Sequence, residues 1–159
     1  MAPRQPLDCH ERALRLLSVR ARSRRELETR LLRAGFQAEE VHAEVARLEA
    51  VGLIDDEAFA RQVAEHELTR RQSGRRAVVS RLMAKGVARD QIDRVLDEIA
   101  GEPDDVRALE LARTRCRRLG SLSPELAFSR LVAFLARRGF DHEVARRAAR
   151  TALELDAGG

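Results

Sequence analysis

The amino-acid sequence predicts an all-α protein, a tandem array of three three-helix repeats. The apolar residues are mainly Leu, Ala and Val, aromatic residues make up only 3% of the chain, and Trp and Tyr are absent. Leu and Ala favour helices, whereas sheets are rich in β-branched and aromatic side chains. Apolar residues also stand four positions apart ahead of three glycines, and this pattern returns roughly every 50 residues.

The repeat is centred on Gly35, Gly86 and Gly139. Apolar residues eight and four positions before each glycine share one helix face, and a glycine directly after them favours a left-handed helix end. Each segment therefore predicts a helix, a tight corner and a second helix, and a further amphipathic helix precedes it. The aligned apolar positions are Leu14, Leu17, Leu27, Leu31, Phe36, Val41, Val45 and Leu48, then Phe59, Val63, Val78, Leu82, Val87, Ile92, Leu96 and Ile99, then Leu109, Ala112, Leu131, Leu135, Phe140, Ala145, Ala149 and Ala152.

The domain boundaries follow from this repeat. Repeats are expected at residues 10–55, 56–101 and 102–155, between a flexible N-terminal segment, residues 1–9, and a C-terminal tail, residues 156–159. A unit of about 50 residues has little core of its own. Stacking the units buries faces that one copy would leave in water, so an elongated array with room for curvature is expected.

Capping signals predict where several helices begin. Ser23 with Glu26 matches a capping box, in which each side chain satisfies a backbone donor of the other residue. Pro103 and Pro124 each suit a first helical position, and Ser123 suits the cap before the second of them.

Composition narrows the function classes. Cys9 and Cys116 lie far apart without metal-type spacing, which favours a reducing compartment over a disulfide framework. Residues 1–8 carry no apolar run of the secretion type, and no stretch reaches the length of about 18 apolar residues that a membrane span needs. A cytoplasmic monomer that makes no membrane contact is expected.

No catalytic site, metal site or cofactor is expected. Asp55 and Asp56 have the carboxylates of an acid–base pair, but acidic residues at a helix N-terminus explain them more simply. The four histidines show no paired spacing on one helix face, and the chain has no glycine-rich phosphate loop and no nucleophile elbow. Cys116 lies between two arginines that could lower its pKa, yet a structural cysteine is the preferred interpretation.

Arginine is the feature that points to a partner. The net charge is only +4, but four-arginine clusters recur in step with the repeat. Stacked repeats project equivalent positions along one edge, which predicts a basic stripe, whereas the alternative is a set of solvated faces paired with nearby acids. A smaller set, Arg33, Lys85, Arg137 and Arg138, lies at the corners. The clusters are Arg20, Arg22, Arg24 and Arg25, then Arg70, Arg71, Arg75 and Arg76, then Arg113, Arg115, Arg117 and Arg118.

Several sequence strings resemble the RecX family. The string Gly52-Leu53-Ile54-Asp55-Asp56-Glu57-Ala58-Phe59-Ala60-Arg61 is similar to the family hallmark, and Ser73 to Arg76, Leu82 to Val87 and Ser23 to Phe36 continue the likeness over roughly residues 10–155. Val63 stands where the family often has an aromatic residue, and the third repeat carries an insertion around Leu119 to Ser123. The motif residues taken as structural are Gly52, Leu53, Ile54, Asp55, Asp56, Phe59 and Gly86.

The resemblance implies a protein of DNA repair, recombination and the SOS response that binds the RecA filament and inhibits its recombinase, ATPase and coprotease activities. It also implies weak, nonspecific DNA contact. The leading hypothesis is that the basic stripe binds acidic surface of the filament or phosphates of its DNA. One alternative is a helix-turn-helix-like DNA-binding protein that acts without RecA, although Glu39, Glu40 and Glu44 after the first corner would repel phosphate. A purely structural helical adaptor is a third.

Overall fold

The computed structural model describes residues 7–99 and 101–157, and every regular element in that part of the chain is helical. The predicted all-α class with three helices in each repeat is confirmed. After the fourth helix the chain continues as a π-helical turn, His66–Arg70. The helices are α1 Cys9–Val19, α2 Arg24–Arg33, α3 Ala38–Ala50, α4 Asp56–Glu65, α5 Arg75–Ala84, α6 Arg89–Glu98, α7 Asp104–Cys116, α8 Pro124–Arg137 and α9 His142–Ala157.

The two expected terminal segments fall partly outside the described residues. Residues 1–6 of the N-terminal segment and residues 158–159 of the tail are not among them. Within the described part, Asp8 caps α1, Cys9 is its first residue and is buried, and α9 extends to Ala157.

The chain forms two compact units. The first contains the described residues up to Gln62 together with Leu82–Val95, and the second contains Val63–Arg81 together with the described residues from Leu96 onward. The middle repeat is thus divided between the units, and the first and third repeats each lie within one.

The core of the first unit is aliphatic and joins α1, α2 and α3. Leu27 and Leu31 of α2 are fully buried, as are Val41 and Val45 of α3. Their spacing of four residues places each pair on the inward face of its helix, as the sequence predicts. Removing such side chains from water is the main stabilising contribution here.

The core of the second unit contains smaller residues. One cluster joins Ala108 and Ala112 of α7 with Ala145, Ala148 and Ala152 of α9, all at most 5% exposed. Short side chains let two helix backbones approach closely while the interior stays densely packed. The buried face of the last repeat is therefore built from smaller side chains than that of the first.

Each repeat turns at its glycine in a Schellman motif. Gly35, Gly86 and Gly139 have φ angles of 97°, 81° and 87°, in the left-handed region that glycine favours. The next residue donates its N–H to the carbonyl five positions back, at 3.4 Å for Phe36, 3.1 Å for Val87 and 3.2 Å for Phe140. The predicted helix ends are confirmed at all three corners.

The second and third corners pack directly against the preceding repeat. A Cβ atom built on Gly86 would lie 2.6 Å from the Cβ of Arg25, and one built on Gly139 would lie 2.6 Å from the backbone N of Ala77. No heavy atom lies within 4 Å of the corresponding position at Gly35. At two of the three corners, glycine therefore provides both the φ angle and the close approach.

Hydrogen bonds fix these two corners in the same way. The Ser23 hydroxyl donates to the carbonyl of Lys85 at 2.5 Å, and the backbone N–H of Gly74 donates to the carbonyl of Arg138 at 2.9 Å. Ser23 and Gly74 each lie at the start of the second helix of a repeat, and each bond reaches the corner of the following repeat. The two units thus build one repeat-to-repeat contact twice.

A second pair of bonds caps the same helix starts. The Asp56 carboxylate accepts the backbone N–H of Arg24 at 2.7 Å, and the Asp104 carboxylate accepts that of Arg75 at 3.0 Å. Each aspartate begins the first helix of the following repeat and satisfies a donor that a helix N-terminus leaves without an intrahelical partner.

Two capping predictions need correction. Ser23 accepts the Glu26 N–H at 3.2 Å, but the Glu26 carboxylate binds arginines instead of returning to the Ser23 backbone, so the predicted capping box is half formed. The reciprocal box occurs at Asp8 and Glu11. Pro103 caps α7 rather than occupying its first turn, because the helix begins one residue later.

The prediction for α8 is confirmed. Pro124 is its first residue, and the Ser123 side chain accepts the N–H of Leu126 at 3.4 Å.

Candidate functional site

A basic groove lies in the first unit, where α1, α2 and the second corner meet. It encloses about 620 Å³ and presents five cationic side chains against one carboxylate. A concave surface lined by one sign of charge concentrates the electrostatic field and attracts the opposite charge. The lining residues of this first groove are Arg12, Leu16, Arg25, Glu26, Thr29, Arg30, Arg33, Ala34, Ala84 and Lys85.

Glu26 organises the wall of the first groove. Its side chain, only 16% exposed, forms ion pairs with Arg20, with Arg22 at 2.9 Å, with Arg30 at 3.6 Å and with Lys85 at 3.8 Å. Burial alone would raise the pKa of Glu26, but the Arg20 hydrogen bond and the neighbouring positive charges outweigh burial and hold the pKa below its ordinary value. The carboxylate therefore stays ionised and fixes the guanidinium groups around it.

The second unit contains a similar groove. It encloses about 570 Å³ and again presents five cationic side chains, here without a carboxylate among its lining residues. Its side chains come from the segment after α4, from α5 and from the third corner. The lining residues of this second groove are Arg70, Arg71, Gln72, Ser73, Ala77, Arg81, Arg137 and Arg138.

Glu67 anchors arginines of the second groove as Glu26 does in the first, although Glu67 is not itself among the lining residues. Its side chain is 3% exposed, pairs with Arg81 at 2.7 Å and with Arg71 at 3.6 Å, and accepts the Ser73 hydroxyl at 3.0 Å. A carboxylate removed from water to this extent is stabilised only when cations and hydrogen-bond donors surround it. Ala60 and Ala64 precede Glu67 at helical spacing and are buried, so an acid on an otherwise apolar face is the sequence signal for this residue.

The grooves use equivalent positions of successive repeats. Arg30 and Arg81 each stand five residues before a repeat glycine, and they pair with Glu26 and Glu67, respectively. Lys85 and Arg138 each stand one residue before the next glycine and line the groove from the corner. Arg30 and Arg81 are not among the contacts predicted from the sequence, although their equal distance from the glycines was a usable signal. Phe134 holds this position in the third repeat.

The first predicted arginine cluster is split by its local partners. Arg22 is buried, and its guanidinium donates to the Leu16 carbonyl at 3.1 Å and to Glu26. Burial, together with the charges of neighbouring arginines, lowers its pKa. Arg24 pairs with acids on α2 and α3. Arg25 lines the first groove and makes no ion pair with a described residue.

The second cluster separates in the same manner. Arg70 and Arg71 line the second groove, whereas Arg75 pairs with Asp97 at 2.7 Å and Arg76 approaches Asp141 at 3.7 Å. In each of the first two clusters, some arginines thus pair with nearby acids, as the alternative interpretation expects, and others line a groove.

The third cluster lies on and after α7. Arg113 and Arg117 line a shallow cavity of about 410 Å³, and Arg115 stacks 5.4 Å above the Phe134 ring centroid. Arg118 is exposed. The corner residues Arg33, Lys85, Arg137 and Arg138 all line one of the two grooves.

The hallmark string makes structural contacts. Asp55 caps α4 by accepting the backbone N–H groups of Glu57 at 3.0 Å and Ala58 at 2.9 Å. Burial raises the pKa of Asp56, and the hydrogen bond from Arg24 offsets only part of that effect. The capping interpretation of the acidic pair therefore fits these contacts.

The apolar hallmark residues are mostly buried. Ile54 and Phe59 are 2% and 5% exposed, and the Lys85 ammonium lies 5.9 Å from the Phe59 ring centroid. Gly52 has a φ of 74° and ends the turn after α3, while Leu53 beside it is exposed.

A reactive cysteine, a metal centre and a membrane span are the other kinds of feature that the described residues could form. Cys116 is buried, and burial followed by the charge of Asp156 raises the pKa of its thiol, which fits a structural cysteine. Among residues 7–99 and 101–157 there is no group of three or more His, Cys, Asp or Glu side chains arranged to hold a metal ion. Over the same residues, every helix is too short or too polar to cross a bilayer.

Fold and grooves together define a class: a helical repeat protein whose repeat contacts carry basic grooves. The three consecutive parts of the chain match the first, second and third three-helix domains of RecX, over residues 9–48, 55–96 and 103–149. The protein belongs to the RecX family of regulatory proteins, as the resemblance in its sequence implied.

Individual relatives support this assignment. The chain is 34% identical over 143 residues to the regulatory protein RecX of Chlorobaculum tepidum, covering 90% of this chain and 87% of the relative. It is 39% identical over 133 residues to that of Mycobacterium avium, covering 83% and 77%. The crystal structure of RecX from Lactobacillus salivarius has the same fold, with a TM-score of 0.81 at 19% identity over 92% of this chain and 95% of that one.

Proposed function

We propose that this protein binds the RecA nucleoprotein filament and inhibits its recombinase, ATPase and coprotease activities. The observation that carries the proposal is the match to RecX regulatory proteins across all three repeats. The basic surfaces of both units supply the complementary charge for an acidic protein surface or for DNA phosphates. The protein acts as a monomer in the cytoplasm, where thiols such as the free, buried Cys9 and Cys116 stay reduced.

Inhibition needs no chemistry from this protein. A ligand that binds one state of a filament more tightly than another shifts the filament towards the preferred state. The exposed members of the three arginine clusters are the proposed contacts. Arg22 is not one of them, because its side chain is buried. Arg70 of the second cluster and Arg113 of the third are the best residues to mutate. Both are exposed, and neither forms an ion pair with a described residue.

The decisive assay is RecA-driven ATP hydrolysis on single-stranded DNA, with and without this protein. We expect suppression at less than one molecule of this protein per RecA subunit. Absence of any effect, together with tight binding to one defined duplex, would instead support the helix-turn-helix-like alternative. Absence of both activities would support the structural adaptor.

A charge-reversal pair tests the proposed contacts. Arg70→Glu with Arg113→Glu should reduce inhibition by tenfold or more, roughly what losing two charge-assisted contacts predicts. Arg130→Glu with Arg150→Glu is the matched control, because these arginines are exposed, unpaired among the described residues and outside both grooves. Circular dichroism should show equal helicity for both variants. If the Arg70/Arg113 variant and the Arg130/Arg150 control inhibit RecA equally, the arginine clusters do not contact the filament.

A further inference from the structure

The two grooves carry an inference that goes beyond RecA regulation. We propose that each unit holds a binding site for a run of adjacent phosphate groups, formed by the first groove in one unit and the second groove in the other. The ligand class is a polyphosphate anion or a phosphodiester backbone, recognised through its phosphates alone. The sites belong to the isolated protein, so they can be tested without RecA.

The excess of positive charge at each groove is built into the fold. In the first groove, Arg12 from α1 and Arg33 from the end of α2 make no ion pair with a described residue. In the second groove the same holds for Arg70 and Arg137. Like charges held together in a concave surface repel one another, and a bound polyanion relieves that repulsion.

The half-buried Glu26 and the buried Glu67 indicate that the grooves are preorganised. Glu26 and Glu67 each hold the arginine five residues before a repeat glycine and a second arginine further upstream, in two different units. A guanidinium fixed in this way loses less conformational entropy when an anion binds. Its planar donor fork still matches the oxygens of a phosphate.

The lining residues also indicate which part of a ligand is recognised. Neither groove has an aromatic side chain on which a base could stack, and the neutral polar groups are limited to residues such as Thr29, Gln72 and Ser73. Base recognition requires stacking surfaces or side chains directed at base edges. Cavities of about 600 Å³ instead suit a short run of phosphates.

The test is calorimetric titration of the full protein with sodium tripolyphosphate at low salt. We expect two binding sites per chain. Arg12→Gln with Arg33→Gln should weaken one site about tenfold or more, and Arg70→Gln with Arg137→Gln should weaken the other. The control Arg130→Gln with Arg150→Gln removes the same charge outside the grooves and should keep both. All three variants should melt within a few degrees of the wild type, because none of these arginines forms an ion pair with a described residue.

Oligonucleotides then distinguish the two sources of phosphate. A single-stranded oligonucleotide and an abasic strand of equal length should bind with affinities within about twofold of each other. If both lose affinity in the groove variants, the sites accept a nucleic-acid backbone. If only tripolyphosphate loses affinity, they accept free polyphosphate.

Two results would overturn the proposal. One is that the groove and control variants bind tripolyphosphate with equal affinity. Binding would then depend on the net charge of the protein and not on the grooves. The other is an oligonucleotide affinity that falls more than tenfold when the bases are removed. Neither result bears on inhibition of RecA, so the failure of this site and the failure of the proposed function remain separable.

Discussion

Glu26 and Glu67 show how a single acidic residue determines what its arginine neighbours can do. A carboxylate with a side chain 16% or 3% exposed is stable only beside several cations and donors. A guanidinium carries five N–H donors, so one contact to the glutamate leaves donors of Arg30 and Arg81 for a ligand. The acid therefore reduces the net positive charge only slightly while it fixes where that charge lies.

Glu26 should make the stability of the protein depend on pH. Its folded pKa lies below its ordinary value of 4.5, so the ionised form favours the folded state. That stabilisation is present above the unfolded pKa and is lost as pH falls through the folded pKa. We expect Glu26→Gln to reduce the free energy of unfolding by about 1–3 kcal/mol near neutral pH. The difference from wild type should shrink as the pH is lowered towards about 3.

Urea denaturation at a series of pH values measures this difference directly. The raised pKa of Asp56 acts in the opposite direction, but Asp56 is present in both proteins and cancels in the comparison. Glu154→Gln, at an exposed position on α9, is the control and should differ from wild type by less than about 0.5 kcal/mol at every pH. A deficit of Glu26→Gln that stays constant with pH would contradict the assigned role of its charge.

At the scale of the elements, the glycine corners should differ in their tolerance of alanine. Gly35→Ala meets only the cost of a left-handed φ, about 1–2 kcal/mol, because its Cβ would have no heavy atom within 4 Å. Gly139→Ala adds a clash with the backbone of Ala77 and should lose a further 1–3 kcal/mol, roughly the cost of overpacking. Gly86→Ala should fall between them, because the contacted Arg25 side chain can partly move.

Thermal and urea unfolding of the three variants give the ranking. If all three lose the same stability, the two corner contacts contribute nothing beyond the turn itself. A fourth variant, Gly74→Ala, extends the test: its Cβ would lie 2.3 Å from the carbonyl oxygen of Gly139, on the opposite side of the same contact. It should lose stability comparable to that of Gly139→Ala.

The elements also show what the sequence can predict. Helical spacing and the three glycine corners depend on local sterics, so reading the sequence alone located the helices and turns. The pairing of charges depends on contacts between distant segments. Arg24 meets Glu49, and Lys85 reaches Glu26, and closeness in sequence could not predict these pairings. The Ser23 capping box failed for a local reason, because Arg20 and Arg22, a few residues upstream, bind the Glu26 carboxylate.

At the scale of the whole molecule, the formal net charge of +4 understates the local charge. The chain has 30 basic and 26 acidic side chains, and many of them pair within the repeats. Among the basic side chains that pair with no described residue, several lie together at the grooves and on α7, such as Arg33, Arg137 and Arg113, whereas Arg130 and Arg150 lie apart from them. Binding to a charged partner should therefore follow these few side chains rather than the net charge of the protein.

We therefore expect the salt dependence of RecA inhibition to be determined by exposed arginines such as Arg70 and Arg113. Raising NaCl from about 50 mM to about 200 mM should increase the half-inhibitory concentration of the wild type about tenfold or more, because each cation–anion contact adds to the slope of affinity against salt. Arg70→Glu with Arg113→Glu should inhibit weakly at low salt and show a shallower slope. The control Arg130→Glu with Arg150→Glu should retain the wild-type slope, and RecA alone at each salt concentration supplies the baseline. Parallel slopes for all three proteins would mean that contacts other than these exposed guanidinium groups hold the filament.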